Sequence, residues 1–377
     1  MTREQTFKSL FPLEPAFRWK QIEKALFDPT ITSIDQVTTL SKPMREILKK
    51  EFPWMTCQAV TLKTNAKGDT TKAVLQLHDG EKIESVLMSN ARSEWTICIS
   101  SQVGCAMGCK FCATGKMGLK RNLDSDEIID QYRFWKTTHE ASAECAPPLT
   151  KRQRSELPLP SSSPRISNIV VMGMGEPFAN YENMKKALNT LLAQTDLGPT
   201  RITVSTVGLI PMLNQMLNDA DWPHIRLAIS LHSAISETRK SLIPTSYDTF
   251  LDDLTKWGHA YLKKLGNRRH HLTFEYVFLK GINDATKDAK ALITLVHALG
   301  PENVRVNLIP YNFTGSIFQS GDNASILRFQ SDLEKHGVTT TIRRSKGDDI
   351  EAACGQLIVI GKGQAPLLLS LKMFALF

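Results

Sequence analysis

Long apolar runs are missing from this chain of 377 residues. The amino terminus, MTREQTFKSLFPLEPAFRWK, carries charge through every stretch where a secretion signal needs an uninterrupted apolar core. The most apolar segment, APLLLSLKMFALF at 365–377, is broken by Lys372 and is about 13 residues long, against the roughly 20 of a bilayer-spanning helix. No export and no membrane contact are expected, which leaves the cytoplasm. Cysteine is sparse, with seven residues at 57, 98, 105, 109, 112, 145 and 354, and in a reducing compartment they are not expected to build a structural disulfide framework. Hydrophobic residues at 42% and charged residues at 22% exclude a disordered chain, a collagen-like fibre and a disulfide miniprotein. The excess of 46 Lys and Arg over 38 Asp and Glu, a net charge of +8, is a mild bias toward polyanions that by itself decides nothing. The length suits two or three domains, or one α/β barrel of roughly 250 residues with a small companion.

Residues 1–56 are punctuated by Pro12, Pro15, Pro29, Pro43 and Pro53 and hold helical patches such as AFRWKQIEKALF and KPMREILKKEF, which predict a small helical N-terminal domain. Over 57–90 the pattern shortens to AVTLKT, TKAVLQLH and KIESVLM, separated by the turn signals AKGD and HDGE, an antiparallel β extension. From 91 to 357 strand and helix alternate: TICISS, NIVVMG, RITVSTV, RLAISLH, LTFEYVFL and VRVNLIPY are each followed by an amphipathic helix, and TTTIRR closes the series. Continuous apolar strands covered by helices imply a parallel sheet. Six such units predict an α/β fold of (β/α)6 type, a partial or full barrel whose chemistry sits beyond the carboxyl ends of its strands. The stretch 141–165, ASAECAPPLTKRQRSELPLPSSSPR, breaks the beat with Ser, Pro and base and is expected to be an inserted surface loop. Residues 358–377 remain as a C-terminal tail.

The strongest motif is GCAMGCKFC, in which Cys105, Cys109 and Cys112 follow a strand with C-x3-C-x2-C spacing. Three thiolates this close suit a soft metal or an iron–sulfur cluster. Structural zinc would want a fourth ligand and paired knuckles, and no second Cys or His pair stands at a matching spacing. A three-cysteine cradle leaves one iron of a 4Fe-4S cluster without a protein ligand, free to take the amino and carboxylate groups of S-adenosylmethionine. The next signal, MGMGEP at 172–177, follows NIVVMG, and its Gly173 and Gly175 would let the backbone approach an amino-acid moiety.

This arrangement resembles the radical S-adenosylmethionine superfamily. TICISSQVGCAMGCKFCATG, GLKRNL, VVMGMGEPFAN, ITVSTVG, LAISLHS, VNLIPYN and GDDIEAACGQL stand in the order and spacing of one branch, the RlmN/Cfr family of adenosine methyltransferases. The likeness runs from about Phe17 to Leu357; the insertion is longer than usual and the apolar tail matches no motif of that family. The resemblance implies that Cys105, Cys109 and Cys112 hold one 4Fe-4S cluster. Gly175, Glu176, Ser205, Ser230, Leu231, His232 and Asn312 are expected to line the S-adenosylmethionine site. It further implies that Cys354 accepts a methyl group, that Cys98 is the thiol that later resolves the intermediate, and that Glu84 is a proton acceptor. Cys57 and Cys145 match no motif and read as apolar fillers.

The implied chemistry answers a difficulty of the target. Carbon 2 of adenine lies between two ring nitrogens and is too electron-poor to attack a sulfonium methyl directly. In the family's route one S-adenosylmethionine methylates Cys354, and a second is cleaved reductively so that its 5′-deoxyadenosyl radical takes a hydrogen atom from the methylated sulfur side chain. The resulting methylene radical adds to the ring. Loss of the ring proton and attack by Cys98 on Cys354 then release the methylated base and leave a disulfide, which an external reductant resets. The implied partners are 23S rRNA in its peptidyl-transferase region, a tRNA anticodon loop, and an electron donor such as flavodoxin or ferredoxin, with the enzyme itself a monomer. The basic run KFCATGKMGLKR (Lys110, Lys116, Lys120, Arg121) and KRQR at 151–154 agree with an RNA substrate whose target base leaves its stack. The GEP at 175–177 is the RlmN-like form and favours carbon 2 over the Cfr-type alternative, carbon 8 methylation that protects ribosomes from antibiotics. A rival of another class is a noncatalytic zinc and RNA-binding protein with no use for Cys354.

Overall fold

The structure, a computed structural model, describes residues 1–90, 94–144, 165–266, 270–343 and 345–358. Most of the insertion at 141–165, including Cys145 and the KRQR run, lies outside the described residues, as does the tail beyond Ile358. Three helices open the chain: α1 (Arg3–Leu10), α2 (Ala16–Leu26) and α3 (Lys42–Glu51). Thr2 and Gln5 cap α1 reciprocally, satisfying two otherwise orphaned backbone N–H groups. The apolar stripes of these helices meet in a core of their own around Phe7, Ile22, Leu48 and Phe52.

Strands β1 (Cys57–Thr64), β2 (Thr70–Leu77) and β3 (Lys82–Ser89) form the expected antiparallel meander. They are not a separate sheet. β3 runs on, antiparallel, into β4 (Trp95–Cys98), which begins the parallel series. Beyond β4 come β5 (Gln102–Gly104), α4 (Ala113–Met117), β6 (Leu119–Asn122) and α5 (Ser125–Glu144). The regular beat then resumes with β7 (Ile166–Val171), α6 (Tyr181–Gln194), β8 (Ile202–Thr206), α7 (Ile210–Asn218), β9 (Arg226–Ser230), α8 (Ser236–Leu242) and α9 (Phe250–Leu265). It ends with β10 (Leu272–Phe278), α10 (Thr286–Leu299), β11 (Val304–Pro310), α11 (Asn323–Lys335) and β12 (Thr340–Ile342). The order β1-β2-β3-β4-β7-β8-β9-β10-β11-β12 gives one sheet of ten strands, parallel from β4 onward.

Six strands with their helices, β4 and β7 to β11, make the (β/α)6 unit, and the barrel is partial for a visible reason. A closed barrel needs the first strand to offer an edge to the last, and β3 already occupies that edge of β4. Two sequence expectations change in detail. TICISS is not one strand: the chain leaves the sheet after Cys98, and β5 pairs instead with β6, formed by LKRN of GLKRNL. Residues 141–144, read as loop, prolong α5.

The first helices are docked on α5 through buried charge. Arg3 pairs with Asp126 and Asp130, and Arg133 meets Asp130 at 2.6 Å. Thr56 adds its backbone N–H and its hydroxyl to Asp130 at 2.7 and 2.8 Å.

Candidate active site

The carboxyl ends of the parallel strands face a cleft of about 920 Å³. The loop between β5 and α4 contributes Cys105, Cys109 and Cys112, the turn after β7 Gly175 and Glu176, the end of β8 Ser205, and the end of β9 Ser230 and His232. Asn312 follows β11, Arg343 follows β12, and Cys354 comes from the last loop. These groups, far apart in the sequence, meet because parallel strands end together.

The cysteine loop is shaped by glycine. Gly104 has φ +77°, and a Cβ there would lie 1.9 Å from the Gly118 carbonyl oxygen, the atom that also accepts the Cys105 N–H at 3.0 Å. No side chain fits at that crossing. Cys105 and Cys109 are buried and Cys112 is half-buried. Burial pushes all three thiols up, Cys105 to about 12, and neighbouring thiols add to the rise as like charges. The cation facing Cys109 is Arg239, itself buried, 3.8 Å above the Phe250 ring and lowered by burial to about 9. Three thiols, two of them buried and one half-buried, with so little compensating charge are poor thiolates alone and good ligands for a group that brings its own positive charge. The three line one cleft and suit a cluster in which each thiolate takes its own iron.

The S-adenosylmethionine residues expected from the motifs divide. Ser205 and Ser230 stand side by side on β8 and β9, their hydroxyls 3.2 Å apart. His232 has φ +57°; its Nδ1 accepts the Val277 N–H at 3.0 Å, so the ring proton sits on Nε2. Burial, then Arg239, lowers its pKa to about 3, and it is a neutral donor. Glu176 has its carboxylate occupied by the Phe178 and Val207 N–H groups at 3.0 and 2.8 Å, which braces β7 against β8 and leaves little of it for a ligand. Gly175, at φ +104°, is needed because a Cβ would strike Gln102 at 2.6 Å. Leu231 is fully buried and does not line the cleft. Its carbonyl receives Arg239 at 3.3 Å.

Cys354 is exposed in the cleft and Cys98 is buried behind it. A second cavity, of about 610 Å³, is lined by both, together with Met172 and Arg343. All six described cysteines are free thiols. The loop bearing Cys354 is tied to the loop of the three cysteines, since Ala113 N–H donates to Gly355 O at 2.8 Å and Thr114 to Leu357 O at 2.6 Å. Asn312 donates to Cys354 O at 3.1 Å. Glu84 lines neither cavity. Buried on β3, it pairs with Lys72 at 3.0 Å and accepts the Ile358 N–H at 2.9 Å, while Lys72 also reaches Glu351 O at 3.0 Å. Burial raises its pKa against the pull of Lys72.

Of the basic residues that the sequence offered to RNA, Lys120 pairs with Glu81 at 2.8 Å and Arg121 with Asp79 and Glu127 at 2.6 and 2.7 Å. Their charge is spent on holding β6 to the β2–β3 turn and to α5. Lys110 and Lys116 remain near the cleft, with Lys110 exposed and Lys116 donating to Thr314 O at 3.1 Å. Arg343, Glu275 and Arg239 carry no motif and were missed in the sequence; the rule that chemistry follows strand ends would have found Arg343, directly after TTI. No helix among the described residues is long and apolar enough to cross a membrane.

No family model matches the chain. It is 36% identical over 348 residues, 92% of its length and 85% of the relative's, to the dual-specificity RNA methyltransferase RlmN of Alcanivorax borkumensis. It is also 36% identical over 350 residues, 90% of its length and 92% of the relative's, to the ribosomal RNA large subunit methyltransferase N of Nitrosopumilus maritimus. A crystal structure of a radical SAM methyltransferase from Sphaerobacter thermophilus superposes with a TM-score of 0.79 at 34% identity, covering 95% of this chain and 97% of that one.

Proposed function

The chain belongs to the RlmN family of RNA methyltransferases, and on that premise we propose that it methylates carbon 2 of an adenosine in 23S rRNA, and of an adenosine in tRNA, through a methylated Cys354. It is an S-adenosylmethionine-dependent radical RNA methyltransferase. The observation that carries the residue assignment is the pair of adjoining cavities: Cys354 opens to the cleft of the three cluster cysteines on one side and shares a second cavity with Cys98 on the other.

In this reading Cys105, Cys109 and Cys112 hold a 4Fe-4S cluster, which with S-adenosylmethionine supplies one-electron cleavage of a carbon–sulfur bond. The serine pair and the Nε2–H of His232 offer hydroxyl and N–H groups to the polar parts of that cofactor, and the Asn312 amide orients the loop of Cys354. The exposed Cys354 accepts the methyl group and presents it toward the cleft. Cys98, sealed from solvent, attacks only a partner already seated in front of it and leaves a disulfide that an external dithiol or electron carrier must reset. Carbon 2 rather than carbon 8 rests on the family and on GEP at 175–177; mass spectrometry of RNA from cells with and without the gene, resolving 2-methyladenosine from 8-methyladenosine, checks it. A zinc protein without catalysis would leave the Cys354–Cys98 arrangement without a purpose.

The deciding experiment uses the two thiols, which act at opposite ends of one covalent intermediate. Cys98→Ala is expected to accumulate a protein–RNA crosslink that survives denaturation, whereas Cys354→Ala and the double variant form none. Repeated turnover by Cys98→Ala would remove it from the mechanism. Silence of both single variants in protein with intact cluster absorbance would remove the assignment altogether.

A further inference from the structure

Cys98 is a poor nucleophile where it stands. It is buried, flanked by Val86 on β3 and Val170 on β7, and its carbonyl is held by Ser85 at 2.9 Å. Burial and then the neighbouring Cys354 push its thiol up to about 12. Attack on sulfur needs the thiolate. Arg343 lines the second cavity together with both cysteines. It is placed by strand geometry: its backbone N–H donates to Leu308 O at 2.8 Å, extending the β11–β12 ladder. Its Nη1 reaches Glu275 at 3.3 Å and the Met172 sulfur at 3.4 Å. Glu275 is itself steadied by Asn307 at 2.9 Å.

We propose that Arg343 stabilises the Cys98 thiolate as it attacks Cys354, so that it governs resolution of the protein–RNA bond rather than its formation. The proposal rests on the two-thiol reading given above. The step balances without a further reagent. Cys98 releases its proton to cavity water and its sulfur bonds to the Cys354 sulfur. The bond from that sulfur to the methylene carbon breaks, and its electron pair stays on the carbon, which takes up a proton and becomes the methyl group. The thiol sulfur of Cys98 and the thioether sulfur of Cys354 are together oxidised by two electrons to the disulfide, and the carbon is reduced by the same two.

The surrounding charges agree with this role. The pKa of Arg343 is raised, first by Cys354, then by Glu275 and Cys98, as expected of a cation set between thiols and one carboxylate. The other cation at the second cavity, Lys346, is held by Asp69 at 2.9 Å and by the Ser89 carbonyl. Asp69 balances its charge, as Glu275 does that of Arg343, but Lys346 is also drawn to the Ser89 carbonyl at the end of β3.

The test follows the crosslink in the full-length enzyme with RNA, quenched over time and separated under denaturing conditions, for wild type, Arg343→Met, Arg343→Lys and Cys98→Ala. Arg343→Met is expected to form the crosslink and to hold it at least about tenfold longer than wild type at pH 7. Its decay should quicken by up to about tenfold per pH unit between pH 7 and 9 as the thiolate fraction grows, and Arg343→Lys should restore most of the rate. The proposal is overturned if Arg343→Met releases product like wild type, forms no crosslink, or holds one whose decay ignores pH. A Cys98→Ala protein without crosslink would instead overturn the reading beneath it.

Discussion

His232 shows how one residue links fold to pH. A histidine in water titrates near 6.5, and this one, buried beside Arg239, does so near 3. Between those values the unfolded chain binds a proton that the fold refuses. Stability is therefore complete above pH 6.5 and falls as the pH drops, by at most about 1.4 kcal/mol per unit. Urea unfolding at pH 7 and pH 5 should show wild type losing about 2 kcal/mol more than His232→Asn, since asparagine tolerates the left-handed backbone and does not titrate; equal losses would show that the ring is protonated in the fold. The cysteines separate just as sharply. Cys109→Ala is expected to abolish S-adenosylmethionine cleavage, read as 5′-deoxyadenosine formation, whereas Cys57→Ala, on β1 away from both cavities, costs a packing loss of about 1 kcal/mol and no activity. Residue types and spacing singled out the three cysteines of GCAMGCKFC, whereas Cys354, a lone cysteine, was marked only by the family resemblance. The direction of a side chain was not legible: Leu231 sits among cleft residues in the chain and turns into the core.

At the scale of elements, the loop that carries Cys354 is clamped at both ends by a buried ion pair on neighbouring strands, with Lys72 at Glu351 and Glu84 at Ile358. Removing one member leaves the other charged and buried, a cost of about 3–5 kcal/mol, whereas replacing both with neutral side chains of similar size is far milder. Glu84→Gln alone should lose at least about tenfold in methylation, and Lys72→Met with Glu84→Gln should recover much of it, because an unpaired buried lysine costs more than its bond to the Glu351 carbonyl contributes, and the amide oxygen of a glutamine at position 84 can still accept the Ile358 N–H. A base at position 84 would leave the double variant as inactive as the single one, and methyl incorporation assays on both distinguish the cases. The alternation of strand and helix was readable because apolar runs of fixed length leave few other choices. The pairing of β5 with β6 was not, since GLKRNL has no strand periodicity and depends on β5 leaving the main sheet to receive it.

For the whole molecule the excess of positive charge is a poor guide to where RNA lies. Lys120 and Arg121 stand in the most suggestive basic run, yet both are engaged by Glu81, Asp79 and Glu127, so neither releases a counterion when a phosphate arrives without first giving up a partner. Lys110 is exposed on the cysteine loop itself, between Cys109 and Cys112. Removing a single lysine–phosphate pairing should reduce the slope of log K against log salt by about 0.7 to 0.9. Lys110→Ala is therefore expected to lower that slope by nearly this amount and to weaken binding of different RNA sequences alike, while Lys120→Ala leaves the slope where it was. Filter binding from about 50 to 200 mM salt reads both at once. Should Lys120→Ala flatten the dependence and Lys110→Ala leave it unchanged, the RNA would approach over the β2–β3 turn, and the cysteine loop would face a base without helping to hold its backbone.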